Sequence, residues 1–211
     1  MLAENWASPE DFATLFQYFW HRDFPITQEA IGAHRADWTI HIGVVVRSIA
    51  DLMGFVTRFE TGGRKDAVLR GTEGDEIAIE WEWSDVWKWI HASSNEVKKL
   101  KCHRVWSKDK NSQRLLKYAV LITYTDTLHI EEVYKSVREK WQEEKGKGAE
   151  WPLLLILIDF VRVKSKQYSS RRAFKEIKML VFDPKGEPRI RRSAKALPWE
   201  VHETRWSSEL K

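Results

Sequence analysis

Three carboxylates in the stretch GRKDAVLRGTEGDEIAIEWEWSD, residues 63–85, stand where they could do chemistry: Asp66, Glu80 and Glu82. Acidic side chains are poor strand residues. These nevertheless fall on two runs that alternate as strands do, RKDAVLR and DEIAIEWEW. A three-residue TEG loop, with Gly74 in the left-handed position such loops need, pairs residue 70 with 76, 68 with 78 and 66 with 80. One face then carries Ala67, Leu69, Ile77, Ile79 and Trp81, all apolar. The other carries Asp66, Val68, Arg70, Glu76, Ala78, Glu80 and Glu82. A loop one residue longer mixes the two sets, so the hydrophobic pattern favours this register. Asp66 then opposes Glu80, with Glu82 two residues along the same face. Opposed carboxylates destabilise a sheet, and a divalent cation between them reverses the sign. Mg²⁺ takes hard oxygen ligands and keeps several waters, so two or three carboxylates suffice. Such an ion can polarise a phosphoryl oxygen. The bland alternative is an acidic, solvent-facing sheet surface relieved by Lys65 and Arg70.

The elements that must position these residues follow from periodicity. SPEDFATLFQYFWHR reads as a helix capped by Ser8, with Pro9 at its first position and Glu10 and Asp11 at its positive end. A second helix runs from about Thr27 or Ala36 to Met53, with Ile42, Val45, Val46, Ile49 and Leu52 on one face and Gly54 as its stop. Strands are expected at 55–61, 64–70 and 75–83. A helical stretch after Ser84 is open to a break at Ser93, Ser94 and Asn95. Then come a strand at 115–125, a helix at 126–145 capped by Asp126 or Thr127, a continuous apolar strand at 153–163 and a strand at 174–183. A strand apolar throughout is buried on both faces. The tail, with Pro184, Pro188 and Pro198, reads as largely irregular. The expected organisation is a helical segment over 1–26, an α/β core over 27–183 with a mixed β-sheet flanked by helices, and a tail over 184–211.

A helix, three antiparallel strands, a helix and another strand resembles the core of the PD-(D/E)xK nucleases, the restriction-endonuclease-like superfamily. KDAVL supplies Asp66 where that family begins its second strand with an Asp, and EWE supplies Glu80 and Glu82 on the third. The likeness spans about residues 29–125 in order of elements. Lys65 stands in place of the proline before the Asp, and Glu82 in place of the lysine. Some restriction endonucleases of the superfamily carry E-x-E, and members also draw the lysine from elsewhere, for which Lys98 or Lys99 is a substitute. The resemblance implies catalysis by Asp66, Glu80 and Glu82. It also implies Mg²⁺, for which Mn²⁺ can substitute, on Asp66, Glu80 and the carbonyl of Trp81, and in-line hydrolysis of a DNA phosphodiester. Restriction or defence is the setting the analogy suggests, and members are often homodimers. Asp51 and Glu60 are weaker candidates for a further acid.

Charge points to the same class of partner. The net charge is +4 and the sequence pI about 9.1. From Lys98 to Lys117 there are eight basic residues against one acid, and basic residues dominate again from Arg162 to Lys195. Lys98, Lys99, Lys101, Arg104, Arg171 and Arg172 are the candidate phosphate contacts, to DNA rather than RNA. Trp83, Trp87 or Trp89 could stack on unpaired bases, although core packing explains most tryptophans. His91, Cys102 and His103 lack the spacing of a zinc site, and His34 and His41 share a predicted helix face. The single cysteine excludes an intramolecular disulfide. The longest apolar run, LLLILI at 153–158, is too short for a membrane span. With no basic leader before an apolar stretch, a soluble cytoplasmic protein is expected. Two rival readings remain. One is a decayed nuclease fold that binds nucleic acid without cutting, and the other is an interaction subunit with a Trp-rich surface.

Overall fold

Ser8 starts the first helix, α1 (Pro9–Arg22), with a full capping box. Its hydroxyl accepts from the Asp11 amide, and the Asp11 carboxylate accepts from the Ser8 amide. This is a computed structural model, and it describes residues 7–24, 35–61, 65–92, 95–101, 106–108, 115–142, 150–163 and 171–198. Helix α2 (Arg35–Met53) ends where expected, at Gly54, whose φ of +77° lets the Phe55 amide reach the Ala50 carbonyl.

Seven strands follow in chain order across one sheet: β1 (Val56–Thr61), β2 (Lys65–Arg70), β3 (Asp75–Asp85), β4 (Tyr118–Asp126), β5 (Leu153–Val163), β6 (Arg171–Phe182) and β7 (Pro188–Lys195). The β1–β2–β3 meander is antiparallel, β3, β4 and β5 are parallel, and β6 and β7 return antiparallel. The parallel joints are crossed by helices, as parallel pairing requires. Short α3 (Val86–Trp89) and α4 (Glu96–Lys101) lie between β3 and β4, and α5 (Ile130–Gln142) lies between β4 and β5. A 3-10 turn over Thr127–His129, capped by Asp126, precedes α5. The sheet is therefore mixed, and helices flank it on both faces.

On one face α1 and α2 cover Ala67, Leu69, Ile77, Ile79, Val120, Leu154 and Ile177. On the other, α3, α4 and α5 cover Ala78, Leu121, Leu155 and Leu180. The face of β2 and β3 expected to be polar thus lies largely under helices. It holds Val68 and Ala78 fully buried, with Glu76 and Glu80 buried beside them and Asp66 and Glu82 half-buried.

Two expectations are corrected. Residues 188–195 form an ordinary strand rather than an irregular tail, pairing Leu180 with Arg191 and Ile177 with Ala194. Pro188 is harmless at the start of an edge strand, and the arginines that obscure the pattern are typical of an exposed edge. The β2–β3 turn also differs. Gly74 is nearly extended, not left-handed, and Arg70 pairs with Asp75 instead of residue 76. The cause is the 106–108 segment, which bonds Asp75 through the Trp106 carbonyl and Glu73 through the Lys108 amide. The Arg70 guanidinium meanwhile lies 2.8 Å from Asp75 and stacks 4.1 Å over Trp106.

Candidate active site

Beyond that irregularity the register is the expected one, with Ala67 opposite Ile79, Val68 opposite Ala78 and Leu69 opposite Ile77. Continued by one residue, it sets Asp66 against Glu80. Asp66 is held there by its own strand partner: its Oδ2 accepts from the Trp81 amide at 2.7 Å. Glu80 is 1% exposed, and as a carboxylate it finds no hydrogen-bond donor on either oxygen. Two cations stand just outside bonding range, Lys65 Nζ at 4.0 Å from Oε1 and Lys99 Nζ at 3.7 Å from Oε2.

Helix α4 delivers Lys99 for a local reason. Asn95 caps the helix by accepting from the Lys98 amide at 2.9 Å. Val97 and Leu100 bury its apolar side. Glu96 and Lys99, three apart, then share the side toward β3 and pair at 2.5 Å. The result is three carboxylates, Asp66, Glu80 and Glu96, against two ammonium groups, Lys65 and Lys99.

Protonation follows from that surplus. Burial first, then the hydrogen bond that only its protonated form can give Glu96 and the charges of Asp66 and Glu96, pushes Glu80 up to about 9 despite Lys99. Burial also raises Asp66, opposed by the Trp81 amide and by the hydrogen bond that protonated Glu80 can donate to it. For Lys99, burial is the largest influence and pulls the ammonium down. The bond to Glu96 and the charges of Glu80, Glu96 and Asp66 outweigh it, and the net shift is upward. Glu80 is therefore a neutral acid at pH 7 unless another cation joins the cluster.

Other predicted residues fall elsewhere. The Glu82 carboxylate accepts from the Ser84 amide at 2.8 Å, capping the end of the strand rather than meeting Glu80. Lys98 is exposed. Lys101 is a strut from α4 to α5, donating to the Lys140 carbonyl at 3.1 Å. Arg104, Cys102, His103 and His34 lie outside the described residues, and of Arg171 and Arg172 only the backbone, in β6, is described. Asp51 is exposed and paired with Arg47, and Glu60 is exposed on β1. Trp83 is half-buried against the core, stacked on Trp38 with centroids 6.1 Å apart and meeting Tyr124 at 4.7 Å. His41 is enclosed by Trp20, Trp38 and Phe24. Burial lowers it to about 4, against the charge of Asp23 and a backbone bond there, so it is no general base for this cluster.

Sequence reasoning missed Glu96. Its signal was present as an acid and a lysine three apart on a short helix with an apolar opposite side. Also missed was Asp159, 2% exposed in the second half of β5, on the sheet face that holds Glu80. Its Oδ1 accepts from the Glu176 amide at 2.7 Å, and Lys178 lies 3.9 Å from Oδ2. With Thr127, Lys175 and Lys195 these residues line a cavity of about 300 Å³. An irregularity in the β5–β6 pairing, between Ile158 and Phe160, turns both Lys175 and Glu176 toward it.

Among the described residues no three His, Cys, Asp or Glu side chains are arranged as a ready metal cage. The donor set of Asp66 and Glu80 still suits a hard cation that keeps its waters. The two unbonded oxygens of Glu80 are the groups such an ion would satisfy. No protein-family model matches the chain, and no curated protein is significantly similar to it.

Proposed function

We propose that the protein is a Mg²⁺-dependent nuclease with a restriction-endonuclease-like core, hydrolysing DNA phosphodiester bonds at Asp66, Glu80 and Lys99. The observation that carries this reading is Glu80. Its two oxygens are buried and, when ionised, without a donor, and it is set across a strand pair from Asp66 and 3.7 Å from a lysine. Retaining such a group costs stability, and a cation site explains it. The order of elements supports the same reading, with α2, the β1–β2–β3 meander, α3 and α4, and then β4 parallel to β3.

Asp66 and Glu80 are the residues that would hold Mg²⁺. When bound there, Mg²⁺ supplies Lewis-acid stabilisation of the charge that builds up on a phosphodiester. The remaining work belongs to the chain's own groups. The Trp81 amide orients Asp66. Glu96 fixes the Lys99 ammonium, whose side chain is 37% exposed and so can meet solvent and substrate together. Lys99 thereby takes the place of the lysine that E-x-E lacks, orienting a water or meeting negative charge on the phosphate. Lys175 on β6 and Lys195 on β7 line a cavity on the same sheet face, three and four strands from β3, roughly 14–19 Å across the sheet and about 13 Å further along the strand direction. That spacing suits phosphates a few nucleotides from the cut.

One observation favours the non-cutting alternative. Glu82 occupies the position of the family lysine and is spent on the Ser84 amide. Plasmid and short-duplex DNA incubated with Mg²⁺ or Mn²⁺, beside EDTA, Glu80→Ala and Lys99→Met controls, separates the two. Metal-dependent cutting lost in both variants is expected. Salt-sensitive binding without cutting across varied DNA sequences and both metals would instead assign the decayed fold.

A further inference from the structure

A second site lies on the far side of α5 from the carboxylate cluster. Between α5 and the β6–β7 hairpin is a cavity of about 480 Å³, within the roughly 300–1,000 Å³ of small-molecule sites. Its floor is apolar: Leu180 and Phe182 on β6, Pro188 on β7, and the ring of Tyr134 on α5. Its rim is cationic. Lys135 and Arg138 come from α5, and Arg189 and Arg191 from β7, against a single lining acid, Glu131.

Two features mark this cavity as more than a gap between elements. The Tyr134 hydroxyl is buried and has no hydrogen-bond partner, on a side chain 7% exposed. Arg138 Nε is likewise buried and unbonded. Orphaned donors in a cavity wall are groups that a ligand oxygen would satisfy. The arginines, in turn, are only loosely committed. Arg138 pairs with Glu187 at 2.6 Å, Arg191 with Glu131 at 3.0 Å and Arg189 with Asp183 at 3.5 Å. All three guanidinium side chains are at least 42% exposed. Exposed pairs of this kind are weak, so a phosphate, which an arginine grips in bidentate fashion, can displace the carboxylates. The Arg191 guanidinium also lies 5.2 Å over the Tyr134 ring, leaving a cationic plane at the edge of the floor.

We propose that this cavity binds a mononucleotide, its base against Leu180, Phe182 and Pro188 and its phosphate on Arg138 and Arg189. An apolar floor within reach of several guanidinium groups suits a ligand that is flat and uncharged at one end and dianionic at the other. The inference is independent of the nuclease reading, because none of these residues touches Asp66, Glu80 or Lys99.

The test is calorimetric titration of the full-length chain at low salt with AMP, ATP, adenosine and inorganic phosphate. Saturable binding of AMP or ATP is expected, with adenosine and phosphate each at least about tenfold weaker, since each uses only half the site. Arg138→Ala/Arg189→Ala should weaken AMP by about tenfold or more at unchanged melting temperature. Tyr134→Phe keeps the ring and removes the orphaned hydroxyl. It should weaken AMP while leaving the unliganded chain no less stable. Glu80→Gln should bind AMP as the wild type does, which separates this site from the carboxylate cluster. Phosphate binding as tightly as AMP would overturn the proposal. So would AMP affinity unmoved by the arginine pair, or no nucleotide binding up to about 5 mM, weaker than about −3 kcal/mol.

Discussion

Replacing Glu80 by Gln should make the metal-free protein more stable at neutral pH, although it alters the centre of the candidate site. Gln keeps the shape of the side chain and cannot ionise. In the fold Glu80 releases its proton only near pH 9, against 4.5 for an ordinary glutamate. Between those values the folded chain holds a proton that the unfolded chain has lost. Stability therefore falls as pH rises through that window, and is flat below 4.5 and above 9. At about 1.4 kcal/mol per unit, the span from pH 5 to pH 7 is worth up to about 2.7 kcal/mol. His41, lowered to about 4, works in the opposite sense between pH 4 and 6.5, since its neutral form is the folded one. Both chains carry it, so it cancels in the difference. The assay is urea unfolding of wild type and Glu80→Gln in EDTA at pH 5, 6, 7 and 8. The variant should gain about 2–3 kcal/mol on the wild type from pH 5 to pH 7, or roughly 5–10 °C in melting temperature. Repeating the series in Mg²⁺ should stabilise the wild type alone, by about 1.4 kcal/mol at ten times the dissociation constant. It should also release a proton near pH 7, because the cation needs the ionised form. Parallel curves for the two chains across the whole range would refute the reasoning that Glu80 is buried without compensation.

Trp38 is fully buried, stacked between Trp20 at 5.2 Å and Trp83 at 6.1 Å, with Phe174 edge-on at 4.6 Å. Trp38→Ala should cost about 3–5 kcal/mol in urea unfolding. Gly186 has φ +79°, and an added Cβ would lie 2.4 Å from Gln142 Cγ, whereas Gly54 has φ +77° with open space around it. Both Ala substitutions carry about 1–2 kcal/mol of backbone strain. Gly186→Ala should be the worse in thermal melts, because it also displaces the Gln142 side chain from the Lys185 carbonyl.

What the sequence made legible was set by patterning. Strand β5 was read to the residue, because an unbroken apolar run bounded by loop residues has one solution in a covered parallel sheet. The β2–β3 register was readable because a slip would have turned Ile77 and Ile79 out of the core. The turn was not, since its shape is set by Trp106 and Lys108, some thirty residues away. Strand β7 was hidden by its composition, since arginines at an edge satisfy no hydrophobic period. At the site, Asp66 and Glu80 were visible as strand acids that nothing local justified. Glu96 was not, because an acid beside a lysine on a helix ordinarily means only a surface pair. The role expected of Glu82 came from the family resemblance, and alternation placed it on the face of Glu80; neither speaks to the nearby Ser84 amide from which it accepts.

The bonds between α1 and the far end of the chain bear on how the protein is made. Trp20 Nε1 donates to the Ala196 carbonyl at 2.8 Å, across 176 residues, and Ala196 and Leu197 complete the core around α1 and α2. At about 5–20 residues per second of synthesis, the tryptophan waits roughly 9–35 s for its acceptor to be translated. At the end of that interval, between completion of β6 and of β7, β6 presents an unpaired edge to the crowded surroundings of the ribosome. The aromatic group on α1 and α2, packed before β7 exists, is then a provisional seal on the growing chain. Ala196 and Leu197 are what make that seal permanent.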